Sequence, residues 1–284
     1  MPMKDEKFHF DFEKIGLKAP EKVIFMTTGS ASVNCYVKNS DGEFLVKIKD
    51  KSTNIDLLSE NLNATSGHPF CPELLFEKSL GDKHVFVSKW IDGHNCYLEK
   101  LSPQTFLQII TAYMDFLKLI NAHVSKHILP AENLTLLLEK IKTPYRFMLP
   151  DLRVIREDLS YTPKMQVIHG DFHYKNIVIK NGELRAFLDF ECFRYGVPTE
   201  DLMRFILTNA EQHRIFRRQY TVKLLKCLIR QTPFTKQDWL YGLDAFILSR
   251  FERKLHKKSA KQRLKLYYST LLYRKLRQVI NESD

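Results

Sequence analysis

The chain has 284 residues, 44% hydrophobic and 27% charged, enough to bury one large core or two lobes and too apolar for a disordered chain. Its five cysteines stand far apart with no C-x-x-C pair, which argues against a zinc site and a disulfide framework and for a reducing cytoplasm. The net charge is +11, yet residues 250–277 hold eleven Lys or Arg against Glu252 alone, so this stretch carries nearly all the excess.

In chain order, the N-terminus MPMKDEKFHF is charged and lacks the apolar run of a secretory signal. Residues 33–38 read as a strand, the Asn39-Ser40-Asp41-Gly42 cluster as a turn, and 43–49 as the return strand. In that strand Phe44, Val46 and Ile48 share one face, and Lys47 and Lys49 the other. A short helix fits 55–64, and strands fit 73–76 and 85–90. After Asp92-Gly93 the pattern turns helical. Ser102 caps a helix that Pro103 opens and that continues to about Val124. Asp115 and Lys118 interrupt its apolar run, so it reads as a buried amphipathic helix and not a membrane span. A helix over 134–142 follows, then a strand-turn-strand insert over 177–190, then helices beyond Pro198. Thr235 with Asp238 forms a capping box for one of them. The whole predicts an α+β chain with a small β-rich lobe over 1–92 and a larger helical lobe over 93–284.

The segment 167–191 carries the chemistry. Val167-Ile168 leads into His169-Gly170-Asp171, and Asn176 lies five residues past Asp171. Asn181-Gly182 is a strong two-residue hairpin signal. With that turn Lys180 faces Glu183, Asn176 faces Phe187, and Asp189 lies just beyond, so Asp171, Asn176 and Asp189 meet at one end of the hairpin. Phosphoryl transfer needs hard oxygens around magnesium, which Asn176 and Asp189 supply. It also needs a group to orient and deprotonate a hydroxyl, which Asp171 supplies.

The run H-G-D-F-H-Y-K-N followed by L-D-F-E resembles the aminoglycoside phosphotransferase and choline kinase superfamily. That resemblance implies a two-lobed, protein-kinase-like fold, with ATP and magnesium as cofactors. Gly29, Ser30 and Ser32 lie in a segment similar to the family's nucleotide-covering loop. The resemblance implies that Lys47 contacts the α- and β-phosphates, with Lys49 as its competitor, and that Glu60 pairs with Lys47. It implies that backbone groups at Lys89, Trp90 and Ile91 meet the adenine edge. Asp201, in Gly196-Val197-Pro198-Thr199-Glu200-Asp201-Leu202, reads as a structural anchor, and His169 as a brace for the loop. Glu191 replaces the glycine of a protein kinase D-F-G, and only about eight residues separate Asp189 from Pro198. That leaves no room for a long activation segment.

The expected function is ATP- and magnesium-dependent phosphorylation of a hydroxyl on a small molecule or glycan. The basic stretch near the C-terminus suits an anionic sugar, or a glycolipid at a membrane surface, better than a cation. A solvated helical face is the plainer reading of the same charges. An aminoglycoside or choline/ethanolamine-type acceptor is the alternative. A nucleotide-binding pseudokinase is the alternative from another class, and the presence of Asp171, Asn176 and Asp189 argues against it. No nucleic-acid-binding motif accompanies the basic charge, so nucleic acid is not an expected partner.

Overall fold

The computed structural model describes residues 10–26, 32–51, 55–96, 101–123, 128–140, 152–212, 218–255 and 260–283. The N-terminal part is a five-stranded antiparallel sheet: β1 (Lys22–Met26), β2 (Ser32–Asn39), β3 (Gly42–Asp50), β4 (Leu74–Leu80) and β5 (Lys83–Lys89), in the order β1-β2-β3-β5-β4. Helix α1 (Ile55–Ala64) connects β3 to β4. Period-two alternation sets the faces. Cys35, Val37, Phe44, Val46, Ile48, Val85 and Val87 are buried with Phe12, Ile15 and Leu17 of the N-terminal segment. Phe86, on the opposite face, joins Leu58 and Leu62 of α1 in a second and larger cluster that runs into the helical part.

That part contains β6 (His94–Asn95), α2 (Pro103–Ala122), α3 (Leu134–Lys140), α4 (Leu152–Leu159) and β7 (Gln166–Ile168). It continues with β8 (Ile177–Lys180), β9 (Glu183–Phe187), β10 (Arg194–Gly196), α5 (Pro198–Gln212), α6 (Arg218–Gln231), α7 (Lys236–Leu255) and α8 (Ala260–Asn281). The caps are those the sequence announces. Ser102 Oγ accepts from the Thr105 N–H at 3.0 Å, with Pro103 as first helical residue. Thr235 and Asp238 bond reciprocally: the Asp238 N–H donates to Thr235 Oγ1 at 3.2 Å, and the Thr235 N–H to Asp238 Oδ2 at 2.9 Å. Strand β7 contains the apolar strand end read at Val167-Ile168, while β1, β6, β10 and helix α4 are additions to the predicted elements. Among the described residues no helix is long and apolar enough to cross a membrane.

Two expectations are corrected. The hairpin keeps its turn, with Asn181 at φ 54° and Gly182 at φ 79° and Lys180 opposite Glu183. However, a bulge at Arg185 shifts the register, so Ile177, not Asn176, faces Phe187. Asn176 meets the next residue, its carbonyl accepting the Leu188 N–H at 2.8 Å. The second correction concerns the basic stretch. Arg277 is an internal charge: its guanidinium contacts Asp158 of α4, Asp244 of α7 at 3.1 Å and the Tyr273 hydroxyl at 2.8 Å. It therefore adds nothing to a surface field. The side chains of 251–255 and 260–270 lie outside the description, as do residues 256–259.

Candidate active site

Gly170 fixes the loop after β7. Its φ is +78°, and a Cβ there would sit 1.9 Å from the Cys192 carbonyl oxygen, so only glycine fits. Its N–H donates to both oxygens of the buried Asp201 of α5, at 3.1 and 3.2 Å, and Asp201 Oδ2 accepts from the Tyr113 hydroxyl at 2.8 Å. Asp201 is thus the anchor that the sequence reading assigns. Gly170→Ala is expected to cost about 3 kcal/mol or more and to lower Tm by roughly 6–12 °C. Thermal unfolding against wild type measures this, and an unchanged Tm would contradict the close approach of the two loops.

His169 is fully buried and braces the same loop. Its Nδ1 accepts the Asp171 N–H at 3.3 Å, which leaves Nε2 as the donor to the Leu188 carbonyl at 2.9 Å. The ring therefore ties the Asp171 loop to the residue before Asp189.

Asp171 stands where the loop turns outward, 26% exposed at its side chain. Arg204 of α5 donates from Nη1 to Oδ1 at 3.3 Å. His173 Nε2 reaches Oδ2 at 3.3 Å, and since its Nδ1 accepts the Lys175 N–H, Nε2 carries the proton. Burial alone would raise this carboxyl's pKa. The hydrogen bond from His173 and the nearby charge of Arg204 outweigh burial and hold it at about 2. Neither Arg204 nor an active part for His173 figures in the sequence reading.

Asn176 ends a short 3-10 turn over Tyr174–Asn176. Its Nδ2 donates to the Asp171 carbonyl at 3.0 Å and to Asp171 Oδ2 at 3.4 Å, which leaves Oδ1 as an acceptor without a protein partner among the described residues. Asp189 adopts a left-handed conformation, φ 67°, at the start of the turn Phe190–Cys192. Its Oδ1 accepts from Lys47 Nζ at 3.2 Å, and Oδ2 is left open. The hairpin thus brings Asp171, Asn176 and Asp189 together, bulge included. Two hard oxygens without protein partners suit magnesium, which takes one or two protein oxygens and fills its octahedron with phosphate and water. Among the described residues no cluster of three His, Cys, Asp or Glu competes as a metal site.

The remaining predicted residues divide. Lys47, on the face of β3 toward this loop, pairs with both Asp189 and Glu191. Burial opposes its charge, but the two carboxylates raise its pKa above the ordinary lysine value. The expected Lys47–Glu60 pair is not formed; those two carboxylates take the place of Glu60. The physical reason is the helical period: α1 buries Leu57, Leu58, Asn61 and Leu62, and Glu60 lies off that face. It is Asn61 that reaches the loop after Asp189, donating from Nδ2 to the Phe190 carbonyl at 2.6 Å. Lys49 is 4% exposed and bonds Glu191 Oε2 at 2.6 Å. Ser32 opens β2 opposite Lys49, while Gly29 and Ser30 lie outside the described residues. The N–H groups of Lys89 and Trp90 are spent on the Glu73 and Glu43 carbonyls, so among the described residues Ile91 has the open backbone donor of the three.

A family model described as a phosphotransferase enzyme family matches residues 25–230. No curated protein matches the chain in sequence. Several solved structures superpose on almost all of it. A thermostable mutant of aminoglycoside phosphotransferase APH(4)-Ia, in ternary complex with ADP and hygromycin B, gives a TM-score of 0.62 at 11% identity over 94% of this chain and 96% of that one. A putative aminoglycoside phosphotransferase from Ralstonia eutropha gives 0.62 at 14% identity over 97% and 100%. Spectinomycin phosphotransferase APH(9)-Ia, in complex with ADP and spectinomycin, gives 0.55 at 11% identity over 93% of each. Likeness at these identities bears on the fold, which is the α+β, kinase-like one.

Proposed function

The chain belongs to the phosphotransferase enzyme family, and we propose that it uses ATP and magnesium to phosphorylate a hydroxyl of a small molecule. The observation that carries this reading is the convergence of Asp171, Asn176 and Asp189 at one end of the β8–β9 hairpin. In this reading residues 1–92 cover the nucleotide, and 93–284 carry the catalytic and acceptor sides. Asn176 Oδ1 and the Asp189 carboxylate hold the metal, which when bound neutralises the triphosphate charge. Lys47 meets phosphate oxygens with the donor that Asp189 and Glu191 leave open. Ile91 offers its N–H to the adenine edge, and the segment of Gly29, Ser30 and Ser32 covers the phosphates. Asp171 accepts a hydrogen bond from the acceptor hydroxyl, aligns it with the γ-phosphorus and receives its proton as the new O–P bond forms and the bond to the β-phosphate oxygen breaks, releasing ADP.

For the acceptor we favour an anionic sugar or glycolipid. The carboxylate that meets the hydroxyl is itself faced by Arg204 and His173, so the site presents cationic and donor groups there. A polycation brought to Asp171 would meet the Arg204 guanidinium beside it, an unfavourable charge contact. An aminoglycoside-like acceptor is the second reading, favoured by the ligands of the superposed structures. ATP consumption against a panel of phosphorylated and uronic sugars, glycolipid headgroups, amino alcohols and aminoglycosides tests both. Turnover with the anionic members is expected. Turnover confined to the cationic ones overturns the acceptor assignment, and absence of both turnover and Mg-ATP binding overturns the kinase reading.

Lys47→Ala is expected to raise the KM for ATP about tenfold, the scale of one charged hydrogen bond. Lys49→Ala should act mainly on stability, since that ammonium is buried against Glu191. Steady-state kinetics and thermal melts on the two variants separate these effects; an ATP effect confined to Lys49→Ala would exchange their roles.

A further inference from the structure

We propose that Glu191 positions the phosphate-binding lysine: its carboxylate bridges Lys47 and Lys49 and holds the Lys47 ammonium beside Asp189, a task that falls to the metal loop and not to helix α1. The proposal rests on the kinase reading above and adds to it a residue with its own assignment.

Lys47 and Lys49 are two residues apart on one face of β3, about 7 Å along the strand. One carboxylate can span that gap only by giving each ammonium a separate oxygen. Glu191 does so, with Oε1 on Lys47 and Oε2 on Lys49 at 2.6 Å. Lys49 is 4% exposed, and an ammonium so buried needs a counter-charge. It thereby serves as the fixed end of the bridge. The turn carrying Glu191 is pinned in turn by α1, through Asn61 Nδ2 on the Phe190 carbonyl. Helix α1 therefore contributes a neutral amide to this loop, and the acid comes from the loop. Lys47 has three N–H donors; Asp189 and Glu191 take two and orient the third.

Calorimetric titration of Mg-ATP into wild type, Glu191→Gln, Glu60→Gln, Lys47→Ala and the Lys47→Ala/Glu191→Gln pair tests the assignment. Glu191→Gln should weaken binding about tenfold, as expected for loss of a charged hydrogen-bond partner. Glu60→Gln should stay within about twofold of wild type, and the double variant should match Lys47→Ala, because Glu191 acts through Lys47. A tenfold loss at Glu60→Gln instead, or an unchanged Glu191→Gln, overturns the proposal. So does a Glu191→Gln loss that persists in full in the Lys47→Ala background, since the carboxylate would then act on the metal directly. If Glu191→Gln unfolds because Lys49 is left uncompensated, Lys49→Met/Glu191→Gln removes both charges and supplies the same comparison. Nitrogen-15 NMR of the lysine ammoniums, without nucleotide, should show the Lys47 and Lys49 signals moving in Glu191→Gln and not in Glu60→Gln. That arm decides the bridge even where wild type fails to bind Mg-ATP, an outcome that would sink the kinase reading alone.

Discussion

Asp171→Ala is expected to lower kcat by about two to four orders of magnitude, the range of a general base with its orienting role. Mg-ATP affinity should change little, because the proposed metal oxygens are on Asn176 and Asp189. The pKa of about 2 shapes how the residue works. A carboxylate so acidic is ionised at any working pH and is a weak base toward an unactivated hydroxyl. Its contribution is alignment, with proton transfer late, which suits a loose phosphoryl-transfer transition state. The rate should therefore show no acid limb from Asp171 above about pH 4. The stability consequence has a definite sign. The folded pKa lies below the ordinary 3.8, so the stabilisation is fully present above 3.8 and is lost as pH falls toward about 2. Single-turnover kinetics with the acceptor found by the screen measure the rate effect. A loss below tenfold would remove Asp171 from the reaction. Asp171→Asn sharpens the test, since it keeps the shape and an acceptor oxygen but cannot take the proton.

Which parts of this site were legible in the sequence follows from how local they are. The Asn181-Gly182 turn needs only two residues with positive φ, and it brings Asp171, Asn176 and Asp189 to one end of the hairpin as expected. The bulge at Arg185 left no such mark: Leu184, Ala186 and Phe187 are all apolar, so the alternation does not say which residue is extra. Strand alternation put Lys47 and Lys49 on one face and the family resemblance singled out Lys47, but its partner was not found. The expectation of Glu60 took a charge from α1 without its helical face, and the Leu57, Leu58, Asn61 and Leu62 stripe already excluded it. Arg204 had a signal that went unused. It lies three residues after Asp201 on one helix, so an Asp201 anchored at Gly170 puts Arg204 on the same face, beside Asp171. The pairing of Arg277 with Asp158 and Asp244 had none, because those carboxylates are 119 and 33 residues away. Counting charge along the chain overstates a surface field whenever such tertiary pairs exist.

Asp189→Ala is expected to weaken Mg-ATP binding by about a hundredfold, the upper end of the range for a residue that only supports a metal ligand, and to leave metal-free ATP binding nearly intact. The backbone complicates the substitution. Asp189 sits at φ 67°, a conformation Asp and Asn tolerate and Ala disfavours by roughly 1 kcal/mol or more. Part of the Ala effect would then come from a turn that relaxes and takes Glu191 with it. Asp189→Asn removes this ambiguity, since it keeps the left-handed preference and one oxygen while discarding the charge. It should give an intermediate loss, again visible only with magnesium. Asn176→Ala should move in the same direction by less, because an amide oxygen contributes no charge to the metal. The quantity to compare is the ratio of ATP affinities with and without magnesium, from calorimetry at fixed ionic strength. Lys47 loses one of its two carboxylates in every Asp189 variant, but that loss acts on both affinities and cancels in the ratio. A ratio equal to wild type in all three variants would show that these oxygens hold no metal, and the phosphate site would have to be sought away from the hairpin.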